Sequence, residues 1–246
     1  MRRSYFNVAA VLVLSSFLNA KANAITFNDI DFWVGSGVNE AALIFDWNDG
    51  KSPGAIAWGF RWDGTKSVGD MMQGIAGTTQ IRTDTSGAFV ADISGADPRL
   101  FIRLSQHSFG NALFGVGYDL DGDGGAFLPG VEGNETGSAS DPDDHYIEGW
   151  FNKGYFFGIG GTDAGGFDFN EFAYDSLNLT DGNLYGFAFD DDFSTFNGGT
   201  PGDEPQNVVA APAPGAAQAS IPEPGTIIML GSGVMGLMLR RRSHVA

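Results

Sequence analysis

The chain has no cysteine. No disulfide can staple it, so a folded body must be held by its core or by bound ions. Thiol nucleophiles and thiolate metal ligands are excluded by the same absence. Basic residues are also scarce: 13 Lys and Arg stand against 30 Asp and Glu, a formal net charge of −17. Six of those 13 lie in two end segments (Arg2, Arg3, Lys21, Arg240, Arg241, Arg242), and every acid except Glu223 lies between Ile25 and Ile221. That body therefore carries 29 acids against 7 bases, a net charge of −22. Nucleic acid is excluded as a partner, because phosphate contacts need a basic surface. Cations, or neutral polar surfaces such as sugars, are the partners this charge admits. Long apolar runs are missing too, none reaching the ~20 residues that span a bilayer unaided.

What the body does have is aromatic side chains and glycine. With 21 Phe, 5 Trp and 6 Tyr in 246 residues, a core is feasible, since large aromatics bury the most area per side chain. The 37 glycines are roughly twice the average usage of about 7%. A disordered chain would lack the aromatics, so the two excesses together point to a turn-rich β protein.

The two ends read as targeting segments. Arg2 and Arg3, the apolar run Val8 to Leu18 and the small-x-small triplet Ala22-Asn23-Ala24 have the order of a secretory signal cut after residue 24. At the other end Pro222-Glu223-Pro224-Gly225 precedes an apolar stretch of 14 residues, 226 to 239, and then Arg240-Arg241-Arg242. This tail resembles the PEP-CTERM sorting signal: a Pro-Glu-Pro motif, a short transmembrane segment and a terminal basic cluster. The resemblance covers residues 222–246 and implies recognition and cleavage near the motif by an exosortase in a Gram-negative cell. It also implies transient inner-membrane anchoring, then delivery to the cell surface or an exopolysaccharide matrix. Gly231, Gly233 and Gly236 loosen the apolar stretch, and the three arginines hold its cytoplasmic side, as the positive-inside rule requires. Gly231 to Gly236 also spells G-x-G-x-x-G, but no βαβ unit can follow it so near the terminus.

Within the body, strands are expected over Ile25–Val34, Ala41–Trp47, Ala55–Trp62, Leu100–Leu104, Ala112–Tyr118, Tyr146–Phe151, Tyr155–Ile159 and Leu184–Phe189. Alternation and Asp-Gly turn signals carry these assignments. Val68, Met71, Met72 and Ile75 recur at helical spacing and predict one short helix. The Gly, Pro, Ala, Gln and Ser bias from 197 to 221 predicts a flexible linker. The expected fold is all-β: a single jelly-roll-like β-sandwich over 25–196 with one short helix, between a signal peptide and the linker and tail.

Asp119-Leu120-Asp121-Gly122-Asp123-Gly124 is the sharpest chemical motif. Three carboxylates at alternate positions, closed by glycine, aim hard oxygens at one point, as Ca²⁺ requires. An EF-hand is ruled out, because position twelve is Gly130 and the flanks are not helical. The expectation is a Ca²⁺ site on Asp119, Asp121 and Asp123, with Glu132, Asp141, Asp143 and Asp144 as candidate further ligands. His145 and Glu148 are candidate metal ligands or an acid/base pair, but residues three apart on a strand point to opposite faces. Trp58 with Trp62, or Tyr146 with Trp150, would make a sugar-stacking platform if exposed and a core if buried. No G-x-S-x-G elbow is present. The expected function is a non-catalytic, Ca²⁺-stabilised surface or matrix protein. Its expected partners are signal peptidase and exosortase during export and exopolysaccharide afterwards. A Ca²⁺-dependent carbohydrate-binding module is the alternative and a glycoside hydrolase a distant third.

Overall fold

A computed structural model describes residues 25–82, 88–108, 110–130, 136–149, 155–162, 166–170, 177–190 and 207–215. The signal segment, Glu132, Trp150 and the sorting tail lie outside them. Fourteen strands are described, in one seven-stranded sheet, one five-stranded sheet and a two-stranded ribbon.

The larger sheet runs β1 (Trp33–Gly35), β3 (Ala55–Trp62), β2 (Asn39–Asp46), β13 (Asn183–Asp190), β11 (Tyr155–Thr162), β12 (Gly166–Asn170), with β14 (Val208–Ala210) also on β3. β1 pairs with Gly59–Arg61 and β14 with Ala55–Ala57, so these two short strands share one edge of β3. The smaller sheet runs β10 (His145–Glu148), β7 (Gly110–Tyr118), β6 (Asp97–His107), β4 (Ala76–Arg82), β5 (Val90–Ile93). β8 (Phe127–Leu128) and β9 (Ser138–Ala139) form the ribbon.

The period-two pattern decides which side chains fill the interior. Ala41, Leu43 and Phe45 of β2 and Ile56, Trp58, Phe60 and Trp62 of β3 meet Leu100, Ile102, Leu104, Leu113, Val116 and Tyr118 of the smaller sheet in one buried cluster. The alternate residues Ala42, Ile44, Ala55 and Ala57 form a second cluster on the outer face, covered by Ile25 and Ile30. Both faces of β2 and β3 are therefore buried, and their sequences read as nearly unbroken apolar runs. The all-β expectation with one short helix holds.

That helix, α1 (Val68–Ile75), starts at a reciprocal cap. Ser67 Oγ accepts the Asp70 amide at 3.1 Å and Asp70 Oδ2 accepts the Ser67 amide at 2.9 Å. Its four apolar residues at helical spacing are all fully buried. Ala76 then leaves helical geometry and begins β4.

Three details differ from the sequence reading. The first segment makes a 3₁₀ turn at Phe27–Asp29, and only Trp33–Gly35 pairs, because Thr26 and Asp29 cap each other. Four pairings are parallel (β1 with β3, β14 with β3, β13 with β2, β4 with β6), whereas a jelly roll is antiparallel throughout. Finally, ordered structure reaches into the stretch expected as linker. β14 pairs with β3, and Ala211 is fully buried with its amide on the Ala57 carbonyl at 2.8 Å. The composition of 197–221 predicted no strand there, but Val208 and Val209 supply one at an edge that was still free to pair.

Candidate metal centre

β7 ends at Tyr118, and its last residues are pinned to β6 by one further rung, the Asp119 amide on the Arg99 carbonyl at 3.0 Å. The chain then turns sharply through the acidic motif. Gly122 and Gly124 have φ of +76° and +92°, conformations that side-chain-bearing residues rarely adopt. This turn lets one carboxylate organise the loop. Asp119 Oδ1 accepts the Gly122 amide at 2.7 Å, and its Oδ2 accepts the Gly124 amide at 3.0 Å. Asp121 Oδ1 in turn accepts the Asp123 amide at 3.0 Å.

The other half of the cluster comes from the turn that leads into β10. Asp144 Oδ1 accepts the Leu120 amide at 2.8 Å, which ties this turn to the loop 24 residues away in sequence. Asp141 Oδ1 accepts the Asp143 amide at 2.8 Å. Gly125 is required by this approach, since a Cβ there would lie 2.2 Å from Asp144 Oδ2. Two groups of carboxylates result, each with ligand oxygens within 4.8 Å of one another: Asp119, Asp121 and Asp144; and Asp121, Asp123 and Asp141. Asp121 belongs to both.

Asp144 is the unusual member. It is 1% exposed, and its Oδ2 has no hydrogen-bond partner. Burial, then the charges of Asp119, Asp141 and Asp121, push its carboxyl up to about 6 against the opposing Leu120 amide. Asp123 is raised as well, chiefly by the charge of Asp121. A divalent cation would reverse this, because it supplies the opposite charge that a buried, unpartnered carboxylate oxygen lacks. The donor set is oxygen throughout, the chemistry of a hard cation such as Ca²⁺.

The remaining candidates separate. Asp143 is in neither group, and Glu132 lies outside the described residues. His145 and Glu148 point to opposite faces of β10 and do not pair. His145 is fully buried and stacks on Trp47 at 4.5 Å between ring centroids. Its Nδ1 is 2.9 Å from Asp49 Oδ2. Asp49 is held below the usual carboxylate range: burial opposes this, but the hydrogen bond and charge of His145, helped by Lys51, outweigh it. Lys51 Nζ reaches the Asp144 carbonyl, so the β2–β3 loop buttresses the same turn. Glu148 is consumed on the other face. It accepts Arg103 Nη1 at 3.0 Å, Tyr146 Oη at 2.6 Å, and the Gly130 and Gly137 amides at 2.7 and 2.9 Å.

The platform residues are core. Trp58 is fully buried, edge-on to Phe45 and Tyr118, with its indole N–H on Asp97 Oδ2 at 2.8 Å. Trp62 lies buried against Phe60. Tyr146 is packed under Phe127 and Phe101. None presents a face to solvent, because period-two spacing marks an inner face as readily as an outer one. Trp150 lies outside the described residues. The residue that sequence reasoning missed is Arg99, which joins the acidic loop to both sheets. Its only sequence signal is its place two residues after Asp97.

Fold and cluster together define an acidic all-β domain with a candidate cation site at its acidic loop. The PEP-CTERM protein-sorting motif matches residues 220–242. The chain is thus an exported protein carrying a signal for exosortase processing. No curated protein and no solved structure matches the chain. Among the described residues, no helix is long and apolar enough to cross a membrane.

Proposed function

We propose that the body is a non-catalytic surface or extracellular-matrix domain stabilised by Ca²⁺ bound between Asp119, Asp121 and Asp144, with Asp123 and Asp141 at the rim. The observation that carries this reading is the buried Asp144 carboxyl, which has one oxygen without a partner and lies in a group with the Asp119 and Asp121 carboxylates whose ligand oxygens are within 4.8 Å of one another. Such a group costs free energy as it stands and becomes a ligand once a cation arrives. In an exported chain without disulfides, ion binding supplies stability that cross-links otherwise would.

A passive role is favoured by where the catalytic candidates went. The His145 ring is buried flat against Trp47, and Glu148 already holds four donors, so neither is available to a substrate. The buried aromatics offer no support for sugar stacking. The N-terminal segment is removed after Ala24 by signal peptidase. Exosortase then acts near Pro222-Glu223-Pro224, with Arg240, Arg241 and Arg242 holding the tail transiently at the inner membrane. The product is an acidic domain placed among exopolysaccharide at the surface of a Gram-negative cell.

Calcium titration of the purified full chain by calorimetry and thermal melting tests the reading. Saturable binding and a raised melting temperature are expected, both lost in Asp121→Ala, an exposed position whose replacement leaves the core intact. An unmoved melting temperature, with Asp121→Ala indistinguishable from wild type, would sink it.

A further inference from the structure

Arg99 is buried where three parts of the body meet. Its carbonyl takes the Asp119 amide, the rung that opens the acidic loop, and its Cδ would lie 3.8 Å from a Cβ on Gly122. Its guanidinium lies over the Tyr118 ring at 5.2 Å. It also grips Asp97 with two hydrogen bonds, Nε to Oδ1 at 2.8 Å and Nη2 to Oδ2 at 3.0 Å. Asp97 carries the Trp58 indole of the opposite sheet. The same Nη2 donates to the carbonyl of Pro212.

Pro212 closes a C-terminal strap. β14 makes three parallel pairings on the edge of β3, and the Ala211 amide adds one more bond. A three-residue edge strand is the kind of element that opens locally long before the whole domain unfolds. In sequence it comes just ahead of the sorting motif, which begins at residue 220.

We infer that cation occupancy of the acidic loop sets how firmly this strap is held, and so whether residues 207–214 stay docked ahead of the sorting motif. The inference rests on the Ca²⁺ reading and extends it to regulation. Without the ion, the carboxylates of the cluster repel one another across less than 5 Å. Relaxing that repulsion moves the loop that hangs from Arg99 by the Asp119 rung. The guanidinium that reaches Pro212 is displaced with it. A cation binds the closed loop in preference to the relaxed one, so it draws the population toward the latched strap. Release of residues 207–214 lengthens the chain ahead of the motif by at most about 3.3–3.6 Å for each residue freed.

Hydrogen exchange of the full chain, with Ca²⁺ and with chelator, reads the strap directly. The Ala211 amide and its β14 neighbours are expected to exchange at least about tenfold more slowly with Ca²⁺. Asp121→Asn removes that difference by removing the ion. Arg99→Gln keeps Ca²⁺ binding by calorimetry but leaves the strap fast in both conditions, with β2 and β3 amides as the folding control. If Arg99→Gln fails that control, Asp121→Asn decides. Strap exchange that ignores Ca²⁺ while calorimetry shows it bound overturns the inference and leaves the cation site standing. Ca²⁺-dependent protection that survives Arg99→Gln also overturns it. Absence of Ca²⁺ binding overturns the site and the inference together.

Discussion

Asp144 and Glu148 lie four residues apart, either side of three β10 positions, and both are buried carboxylates, 1% and 4% exposed. Their surroundings are opposite. Glu148 faces the outer side of the smaller sheet, where Gly115 and Gly117 leave room for Tyr146 and Phe127. Four donors, one of them Arg103, fill both of its oxygens. Asp144 faces the loop end of the sheet, with one backbone donor, one orphaned oxygen and three other carboxylates around it. The same functional group is a finished structural joint in one place and an unfinished ligand in the other. Burial is not what distinguishes them; the sign of the neighbouring charge is.

The largest effect that would sharpen this contrast is expected at Glu148. Glu148→Ala strands Arg103 in the interior and should cost about 3–5 kcal/mol of unfolding free energy, equally with Ca²⁺ and with chelator. Urea denaturation in both conditions measures it. A loss confined to Ca²⁺ would mean that Glu148 belongs to the ion site, and the distinction between the two carboxylates would collapse.

Next comes the ion itself. At a hundredfold excess of Ca²⁺ over its dissociation constant, linkage raises stability by about 2.7 kcal/mol. Asp144→Asn should abolish most of that gain. In chelator the same variant should be more stable than wild type, by about 1 kcal/mol near neutral pH. The amide keeps an acceptor for the Leu120 amide and removes one of the repelling charges. If Asp144→Asn is destabilising in chelator, Asp144 is a joint like Glu148.

The smallest effect is the pH dependence. The folded state raises the Asp144 carboxyl from 3.8 to about 6, so it holds a proton there that the unfolded chain has lost. Its contribution is therefore full below about 4 and disappears as pH rises through about 6. In chelator, wild type should lose stability relative to Asp144→Asn across that window. Added Ca²⁺ should flatten or invert the slope, because the ion competes with the proton. Parallel urea melts at a series of pH values would show it.

How much was legible follows from the range of each interaction. Trp58, Phe60 and Trp62 announced a strand face by spacing alone, and that face exists. The spacing does not say whether such a face meets water or another sheet, and here it meets Leu100, Ile102 and Tyr118. Asp119, Asp121 and Asp123 announced a loop of converging oxygens. The structure divides them between two groups, Asp119 with Asp144 and Asp123 with Asp141. Glycines at 122 and 124 set the turn that makes this division. β14 was hidden for a third reason: three residues in an Ala- and Pro-rich stretch carry no periodic signal, and only the vacant edge of β3 makes them a strand.

The sequence by itself determined the sorting motif at residues 220–242, the all-β class, the short helix Val68–Ile75 and the acidic loop. Each depends on residues near one another along the chain: a motif, a period, a cap, a turn. Only the tertiary structure decided that Asp144 joins the cluster, that Trp58 and Trp62 are core and that Arg99 reaches both the start of the loop and Pro212, just after β14. Those are contacts between segments far apart in sequence, made when two sheets close on a shared interior, and no local pattern encodes which partners that closure brings together.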